Sequence, residues 1–288
     1  MGRAHEASSM KPRPFDYIRP DTVEEAMALL AEYGEDARVL AGGQSLVPML
    51  NLRLIEVDAL IDISQIAALD VISDRGDTIE IGAAVTQNKL LAWPALAEKL
   101  PLVAAALPHV GHFQTRNKGT VCGSIAHADP SSELPLALAL LGGEVVLKSK
   151  RGERVLTAVD FHKDMLTTAR AGDELIASVR FPAGRGVGNG GGVAFREVAR
   201  RHGDFAIIAV AAVAEDKHVR LGVGGMAGRP LVRRIAMDHA AEAITSVIAD
   251  WADGLEGYED LHASAAMRRD LLRNLAPRVV EEAIRCAA

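Results

Sequence analysis

The chain has 288 residues, of which 49% are hydrophobic, and this length is enough to bury a substantial core and to hold two domains. Its formal net charge of -6 argues against a nucleic-acid partner, because binding to phosphate backbones requires clustered Lys and Arg. No apolar stretch is long enough for a membrane span and residues 1–17 lack the apolar segment of a signal peptide, so we expect a cytoplasmic protein.

The first part of the chain predicts a layered α/β unit. Residues 23–30, preceded by Asp21 and Thr22, have the pattern of a capped amphipathic helix with acidic residues in its first turn. Strands are predicted at residues 38–41 and 59–63, and the first of them runs into a Gly-Gly pair. Together these elements indicate a β-α-β-like unit.

A second α/β unit is predicted to follow. Its strands are expected at residues 78–82, 144–147 and 174–181. Between the first two strands, residues 86–107 are largely helical in pattern but contain two prolines that interrupt the helix.

The composition changes at residues 184–192, which contain six glycines in nine positions and predict a mobile loop or linker. Beyond it, residues 204–214 and 219–223 predict paired strands, while residues 238–249 and 263–287 predict helices. We therefore expect a separate C-terminal α+β domain with its helices on one face of a sheet.

Two polar segments are candidates for a binding site. In the first, Gly42 and Gly43 follow a strand and can turn successive backbone N–H groups towards one anion, such as a phosphate, with the Ser45 hydroxyl nearby. Each hydrogen bond to a charged group contributes roughly 1.5–3 kcal/mol, so a few such donors could hold a dinucleotide. Considered alone, the segment is equally compatible with a turn that binds nothing.

The second segment, residues 115–133, combines small residues with carboxylates. Thr120, Gly123 and Ser124 allow close backbone approach, while Asp129 and Glu133 can accept hydrogen bonds from ribose or other hydroxyls. Because these polar residues precede a helix of Leu and Ala, a site is favoured over a solvated loop.

Other chemistries are poorly supported by the sequence. The glycines at 222–225 are not followed by a helix, which argues against a Rossmann motif. His109, His112 and His127 could suggest a metal site, but His109 and His112 share no carboxylate at suitable spacing and lie in a segment bounded by Pro and Gly, so packing or surface roles are expected. Cys122 and Cys286 form no cluster motif, so any iron–sulfur cluster belongs to another chain, and Cys122 is expected to be a small buried residue.

The segments AGGQS at residues 41–45 and TVCGS at residues 120–124 resemble the two flavin-pyrophosphate motifs, AGGHS and TIGGS, of the medium subunit of carbon monoxide dehydrogenases. Equivalent subunits or domains occur in xanthine dehydrogenases and other molybdenum hydroxylases. The resemblance extends from Lys11 to the C-terminus and includes KPRPFDYIRP, RNKGTVCGSIAHADPSSELP and VARRHGDFA.

This resemblance implies an α+β fold. It places an FAD-binding domain of the vanillyl-alcohol-oxidase (PCMH) type at residues 11–182, in two α/β subdomains of residues 11–65 and 66–182. An N-terminal extension, residues 1–10, precedes this domain. A glycine-rich linker, residues 183–192, and a C-terminal α+β domain, residues 193–288, follow it.

The resemblance also implies which residues contact FAD, and none of them is expected to be catalytic in its own right. Gln44 departs from the family's His but keeps a donor and an acceptor, whereas Cys122 replaces a Gly and needs a permissible φ. Val110 stands where some relatives have an aromatic residue and is not expected to be a contact. The expected contacts are Leu40, Ala41, Gly42, Gly43, Gln44, Ser45, Leu46, Val47, Thr120, Val121, Cys122, Gly123, Ser124, Glu133, Ile176 and Arg196.

The implied function is electron transfer within a complex. In the family, a large subunit hydroxylates the substrate at a molybdenum cofactor, and a small subunit passes electrons singly through two 2Fe–2S clusters to the FAD, which delivers them to an external acceptor. The resemblance implies a dimer of heterotrimers in the cytoplasm, compatible with association of the complex with the inner face of the membrane. The alternatives are a stand-alone FAD oxidoreductase and, because of Cys122, a flavin-free scaffold subunit.

Overall fold

A computed structural model describes residues 11–184, 191–237 and 241–287. The first subdomain is a three-stranded parallel sheet in the order β1-β3-β2, with one helix on it and a short helix beside it. The first helix starts where Thr22 Oγ1 accepts a hydrogen bond from the Glu25 N–H at 3.1 Å. The elements are β1 Asp16–Ile18, α1 Val23–Tyr33, β2 Ala37–Leu40, α2 Leu46–Asn51 and β3 Ala59–Asp62.

The second subdomain is built on a five-stranded antiparallel sheet in the order β4-β5-β10-β6-β7. The helical region after β5 is broken beside Pro94 and Pro101, as predicted, because proline cannot continue a helical hydrogen-bond ladder. The elements are β4 Ile72–Asp74, β5 Thr78–Gly82, α3 Gln87–Leu91, α4 Leu96–Lys99, α5 Pro101–Ala106, α6 Phe113–Lys118, α7 Val121–His127, α8 Glu133–Leu141, β6 Glu144–Ser149, β7 Gly152–Thr157, α9 Ala158–Phe161, β8 His162–Asp164, β9 Thr167–Thr168 and β10 Leu175–Pro182.

The C-terminal unit is a four-stranded antiparallel sheet in the order β11-β12-β13-β14, with two helices packed on one of its faces as predicted. The sequence did not reveal its two edge strands, and the strand predicted from residue 204 begins only at residue 208. The elements are β11 Gly192–Val198, β12 Ile208–Glu215, β13 His218–Gly224, β14 Leu231–Ala236, α10 Ala241–Asp253 and α11 Ala265–Ala287.

The opposite face of this C-terminal sheet is covered by α8 of the second subdomain. Alternate residues of β12 therefore pack in different cores: Ile208 and Val210 lie with α11, whereas Ala209 and Ala211 lie with α8. Because both faces are covered, β12 is apolar along almost its whole length. The α+β class with two α/β subdomains and a C-terminal α+β unit is confirmed.

The expected mobility of residues 184–192 concerns a segment of which residues 185–190 lie outside the described part of the chain, as does the N-terminal extension. Gly192, predicted to belong to the linker, is instead the first residue of β11. A Cβ there would lie 2.1 Å from the Ala283 carbonyl oxygen, so the strand begins where it packs tightly on α11. No helix within the described ranges is long and apolar enough to cross a membrane.

Candidate functional site

The two polar segments meet backbone to backbone. Gly42, just after β2, packs so closely on the end of α6 that a Cβ would lie 2.1 Å from the Lys118 carbonyl oxygen and 2.7 Å from Gly119 Cα. Gly43 adopts a φ of 69°, in the left-handed region that favours glycine. Each glycine is therefore required for a separate reason, and together they bring residues 41–45 against the segment that precedes α7.

The turn at residues 42–45 presents backbone N–H groups that donate to no other group within the described part of the chain. The Gln44 side chain stabilises the turn, since its Nε2 donates to the Gly42 carbonyl oxygen at 3.1 Å. Free N–H donors on a left-handed glycine turn are the feature expected of an anion-binding nest.

The second motif begins α7. Thr120 Oγ1 accepts a hydrogen bond from the Gly123 N–H at 2.9 Å, and a Cβ on Gly123 would lie only 2.7 Å from that oxygen. Because Gly123 has no Cβ, the Thr120 hydroxyl can approach its N–H closely enough to cap α7. On the other side, Gln87 N–H donates to the Gly119 carbonyl oxygen at 2.8 Å, which ties α3 to the same segment.

These segments border a cleft of about 770 Å³, a volume within the range of small-molecule and cofactor sites. Its walls come from β2 and α2, from α7 and the start of α8, from residues 166–176, and from the loops around residues 110 and 204. Most of the residues predicted to contact FAD line it: Ala41, Gly42, Gly43, Gln44, Ser45, Leu46, Thr120, Cys122, Gly123, Ser124, Glu133 and Ile176.

The other four predicted residues do not line the cleft. Val121 is fully buried and Leu40 packs in a small core with α2, while Val47 is partly exposed on α2. Arg196 lies on β11 with its guanidinium paired to Glu282 of α11, with 2.9 Å between Nη2 and Oε2. The position of Arg196 on its strand therefore turns the side chain towards α11 and away from the cleft.

Cys122 occupies a helical position in α7, so the replacement of glycine requires no left-handed backbone. Its Sγ lies 3.5 Å from the carbonyl oxygen of Ile81 in β5, and burial raises the pKa of the thiol far above its usual range. The thiol is thus a small buried group without nucleophilic character, which agrees with the expectation from sequence.

Glu133, the first residue of α8, is only 4% exposed. Burial raises the pKa of its carboxyl group to about 8, with smaller contributions from the nearby charges of Glu197 and Asp129. At neutral pH this side chain is therefore mainly protonated and can donate a hydrogen bond, whereas the sequence suggested a carboxylate that only accepts.

Three residues that the sequence did not single out also line the cleft. Gln87 is 5% exposed, and its Oε1 has no hydrogen-bond partner within the described part of the chain. Arg170 and Arg38 also line the cleft. Their backbone hydrogen bonds hold them in place: Arg170 Nη1 donates to the carbonyl oxygens of residues 171, 172 and 174.

The loop after α5 forms another wall. Val110, which was not expected to contact FAD, lines the cleft beside Gly111. Arg116 of α6 fixes this loop, because its Nη1 donates to the carbonyl oxygens of both residues at 2.9 and 2.8 Å. No local sequence signal could identify Val110, because its position depends on this contact between separate elements.

The histidines form no metal centre, since the described residues contain no group of three or more His, Cys, Asp or Glu placed to hold a metal ion. His127 lines the cleft, and burial lowers its pKa. Because of this lowered pKa, His127 contributes a neutral imidazole to the cleft wall at physiological pH. His112 precedes the first residue of α6 and packs on Gly203, where an added Cβ would lie 2.7 Å from the imidazole.

Both parts of the chain match models of known protein families. Residues 13–184 match the FAD binding domain in molybdopterin dehydrogenase, and residues 193–283 match the CO dehydrogenase flavoprotein C-terminal domain. Caffeine dehydrogenase subunit beta of Pseudomonas sp. (strain CBB1) is 40% identical over 73% of this chain and 71% of its own length. The 6-hydroxypseudooxynicotine dehydrogenase complex subunit alpha of Paenarthrobacter nicotinovorans is 36% identical over 96% of each chain.

The fold is also similar to that of solved structures. A chain of carbon monoxide dehydrogenase from Hydrogenophaga pseudoflava superposes with a TM-score of 0.87 at 32% identity, covering 96% of this chain and 99% of that chain. The similarity therefore includes both the cleft-bearing subdomains and the C-terminal unit.

Proposed function

The chain belongs to the family of FAD-binding medium subunits of molybdenum hydroxylases, and on that basis we propose that it binds FAD in the cleft between its two glycine motifs and passes electrons from a partner's iron–sulfur clusters to an external acceptor. The observation that carries the proposal is the turn at residues 42–45, which has free N–H groups and lines a cleft of cofactor size.

The residues of the cleft fit the cofactor. The free N–H groups of residues 42–45 suit the pyrophosphate, and Arg38 and Arg170 supply positive charge near an anionic ligand. The unpaired Oε1 of Gln87 can accept a hydrogen bond from a hydroxyl of the cofactor, and protonated Glu133 can donate one. Flavin accepts electrons singly and releases them in pairs, which couples one-electron to two-electron partners.

The chain's own residues would therefore bind the cofactor, orient it and keep part of it from water. Among the described residues that line the cleft, no hydrogen bond pairs a nucleophilic side chain with a general base, and Cys122 is too deeply buried to serve as a nucleophile. This favours hydroxylation of the substrate on another subunit over a stand-alone oxidoreductase. The scaffold alternative rested on Cys122, and it loses that support because the thiol lies against Ile81.

The proposed assembly contains a small subunit with two 2Fe–2S clusters and a large subunit with the molybdenum cofactor, joined as a dimer of heterotrimers in the cytoplasm. The names of the relatives support a multi-subunit complex, since they describe a subunit beta and a complex subunit alpha of dehydrogenases. The C-terminal unit, which shares a core with the cleft through α8, would move as one body with the FAD site in such a complex.

The first test is the visible absorption spectrum of the purified chain, followed by mass analysis of any released flavin. We expect yellow protein with about one FAD per chain. The Arg196→Ala variant should retain the same FAD content, because this side chain pairs with Glu282 outside the cleft. Colourless protein that also fails to bind added FAD would overturn the proposal, and loss of FAD in the Arg196 variant would overturn this assignment of the cleft.

A further inference from the structure

The loop at residues 129–132 connects two parts of the cleft wall. It runs from α7, which carries the second glycine motif, to Glu133 at the start of α8. Ser132 and Glu133 line the cleft, whereas Ser131 is 7% exposed and lies outside its wall. The Asp129 carboxylate accepts a hydrogen bond from the Ser131 N–H at 2.8 Å, which leaves the Ser131 hydroxyl free to bond elsewhere. The position of this loop therefore determines where the Glu133 side chain lies in the cleft.

Tyr258 brings the C-terminal unit into contact with this loop. It lies between α10 and α11, and its hydroxyl is 3.2 Å from Oγ of Ser131, a residue 127 positions earlier in the chain. The guanidinium of Arg268 covers the Tyr258 ring, with 4.1 Å between Cζ and the ring centroid. This cation–π contact holds the ring in place, so the hydroxyl stays directed at the loop.

Arg268 belongs to α11 and is itself fixed by several partners. It is 1% exposed, and its Nη2 donates to Asp260 Oδ2 at 2.6 Å. The other oxygen of Asp260 accepts the N–H groups of His262 and Ala263 at 2.8 and 2.9 Å. Burial of a charge is costly, and an apolar side chain of similar volume often fills such a space without loss of stability. The geometry therefore indicates that this cation orients its neighbours in addition to filling the core.

A second hydrogen-bonded path leads from the same guanidinium to the loop. Arg268 Nη1 donates to the Gly225 carbonyl oxygen at 2.8 Å, and the Gly225 N–H donates to the Pro130 carbonyl oxygen at 2.8 Å. The C-terminal unit thus holds the loop at two consecutive residues, Pro130 through Gly225 and Ser131 through Tyr258. These two contacts restrict the loop just before it reaches the cleft.

We propose that Arg268 and Tyr258 are positioning residues of the FAD site, which hold the loop at residues 129–132 and thereby keep the Glu133 carboxyl group against the cofactor. Neither of these two residues belongs to the cleft wall, so they act on FAD through the loop. The inference rests on the proposed function, because it needs FAD in the cleft. It assigns to the C-terminal unit a part in cofactor binding that the two glycine motifs do not include.

Loss of this support should change how FAD affinity depends on pH. Burial raises the pKa of Glu133 to about 8, with smaller contributions from the charges of Glu197 and Asp129. His127, which also lines the cleft, stays neutral in this pH range because burial lowers its pKa. Protonated Glu133 donates a hydrogen bond to FAD, whereas its carboxylate repels the anionic pyrophosphate, so affinity should fall as pH rises through about 8. A loosened loop admits water to Glu133 and moves this fall to lower pH.

The first experiment is a double-mutant cycle of FAD affinity, measured by flavin fluorescence on the full chain at about pH 7. Tyr258→Phe removes only the hydroxyl and leaves the ring under Arg268, while Ser131→Ala removes the partner of that hydroxyl. Each single variant should bind FAD about fivefold more weakly, and the double variant no more weakly than either, because all three lose the same hydrogen bond. Wild-type affinity in the single variants, or effects that multiply in the double variant, would overturn the proposal.

The second experiment records FAD affinity between about pH 6 and 9, where a purely structural role would leave the midpoint of the pH profile unchanged. The midpoint of Tyr258→Phe should lie about one pH unit below that of the wild type. The control is Tyr17→Phe, which removes a hydroxyl bonded to Asp62 in the first subdomain, and neither of these residues lines the cleft. This control should lower the Tm but keep the wild-type midpoint. A midpoint that stays in place in Tyr258→Phe, or that moves equally in the control, would contradict the positioning role.

A third variant, Arg268→Lys, tests the guanidinium itself. Lysine keeps the charge but has a single nitrogen, which cannot replace the separate bonds to Asp260 and Gly225. FAD binding should therefore weaken about fivefold or more, and wild-type affinity would remove Arg268 from the proposal. Failure of the wild-type chain to bind FAD would overturn the proposed function and the positioning role together. Wild-type affinity in every variant would overturn the positioning role alone.

Discussion

At the scale of single residues, the two adjacent glycines of the first motif serve different purposes. Gly42 is needed because the chain passes within contact distance of the backbone at Lys118 and Gly119. Gly43 is needed because its φ is positive, and a Cβ there would meet only the side chains of Val47 and Leu40, at 3.1 and 3.2 Å. Substitution at Gly43 therefore distorts the nest without a backbone clash.

The Gly43→Ala variant is accordingly expected to bind FAD about tenfold more weakly, because strain at this φ tilts the N–H donors away from a common point. Its free energy of unfolding should fall by about 1 kcal/mol. The matched control is Gly76→Ala, which has a similar φ of 86° with open space around it, in the turn between β4 and β5. Flavin fluorescence titration and denaturant unfolding provide both values, and equal FAD affinity in the two variants would remove the nest assignment.

The sequence identifies contacts that depend on local chain geometry and misses those that depend on strand direction. Both glycine motifs are local, so their residues could be named before the fold was known. On β11 the family resemblance singled out Arg196, but consecutive residues of a strand face opposite ways: Arg196 pairs with Glu282 of α11, whereas Glu197 on the other face lies against His109. Gln87 lies on a different element from both motifs and gives no signal in the sequence.

At the scale of elements, α6 fixes the loop that forms one wall of the cleft. Arg116 Nη1 donates to the carbonyl oxygens of Val110 and Gly111, and these bonds hold residues 110 and 111 at the cleft. The sequence predicted the helical character of residues 86–107 and their proline breaks, because both follow from local pattern, but it predicted no helix at α6. It could not predict the loop position, since that depends on a side chain reaching across from the next helix.

The Arg116→Gln variant should therefore weaken FAD binding about tenfold and lower the free energy of unfolding by roughly 1–2 kcal/mol, as two charge-assisted hydrogen bonds to backbone are lost. Arg151→Gln is the control, because it also removes a guanidinium bonded to another residue, here the exposed pair with Asp173. Isothermal titration calorimetry measures the FAD affinity of both variants, and only Arg116→Gln should show weaker binding. If both bind FAD equally well, the loop does not depend on Arg116 for its position.

At the scale of the whole molecule, the C-terminal unit and the FAD-binding part share one apolar interface. The sequence indicated a separate C-terminal domain, because the glycine-rich run divides the chain and paired strands followed by helices are predicted beyond it. In the fold, α8 packs on β12 and β13, and the core around α8 includes residues of β12. A long buried strand such as β12 indicates that both its faces are covered, but not which distant element covers them.

This shared core predicts that the whole chain unfolds in a single transition that also releases FAD. The sensitive position is Gly222 of β13, where a Cβ would lie 2.9 Å from Leu136 Cδ1 and 3.3 Å from Leu140 Cδ2 of α8. Gly222→Val should push α8 away from the sheet and lower the free energy of unfolding by about 1–3 kcal/mol, because overpacking strains a filled core.

The same substitution should weaken FAD binding, because α8 begins with Glu133 and any displacement of the helix moves this residue in the cleft. The control is Ala236→Val, which adds a branched side chain on the exposed edge strand β14 and should alter neither property. Far-UV circular dichroism and flavin fluorescence, recorded during the same thermal scan, should give coincident midpoints that shift together in Gly222→Val. Cooperative unfolding requires the α8 interface to contribute much of the stability of both the C-terminal unit and the FAD-binding part. If the C-terminal unit melts first while FAD stays bound, this interface holds the two parts together only weakly.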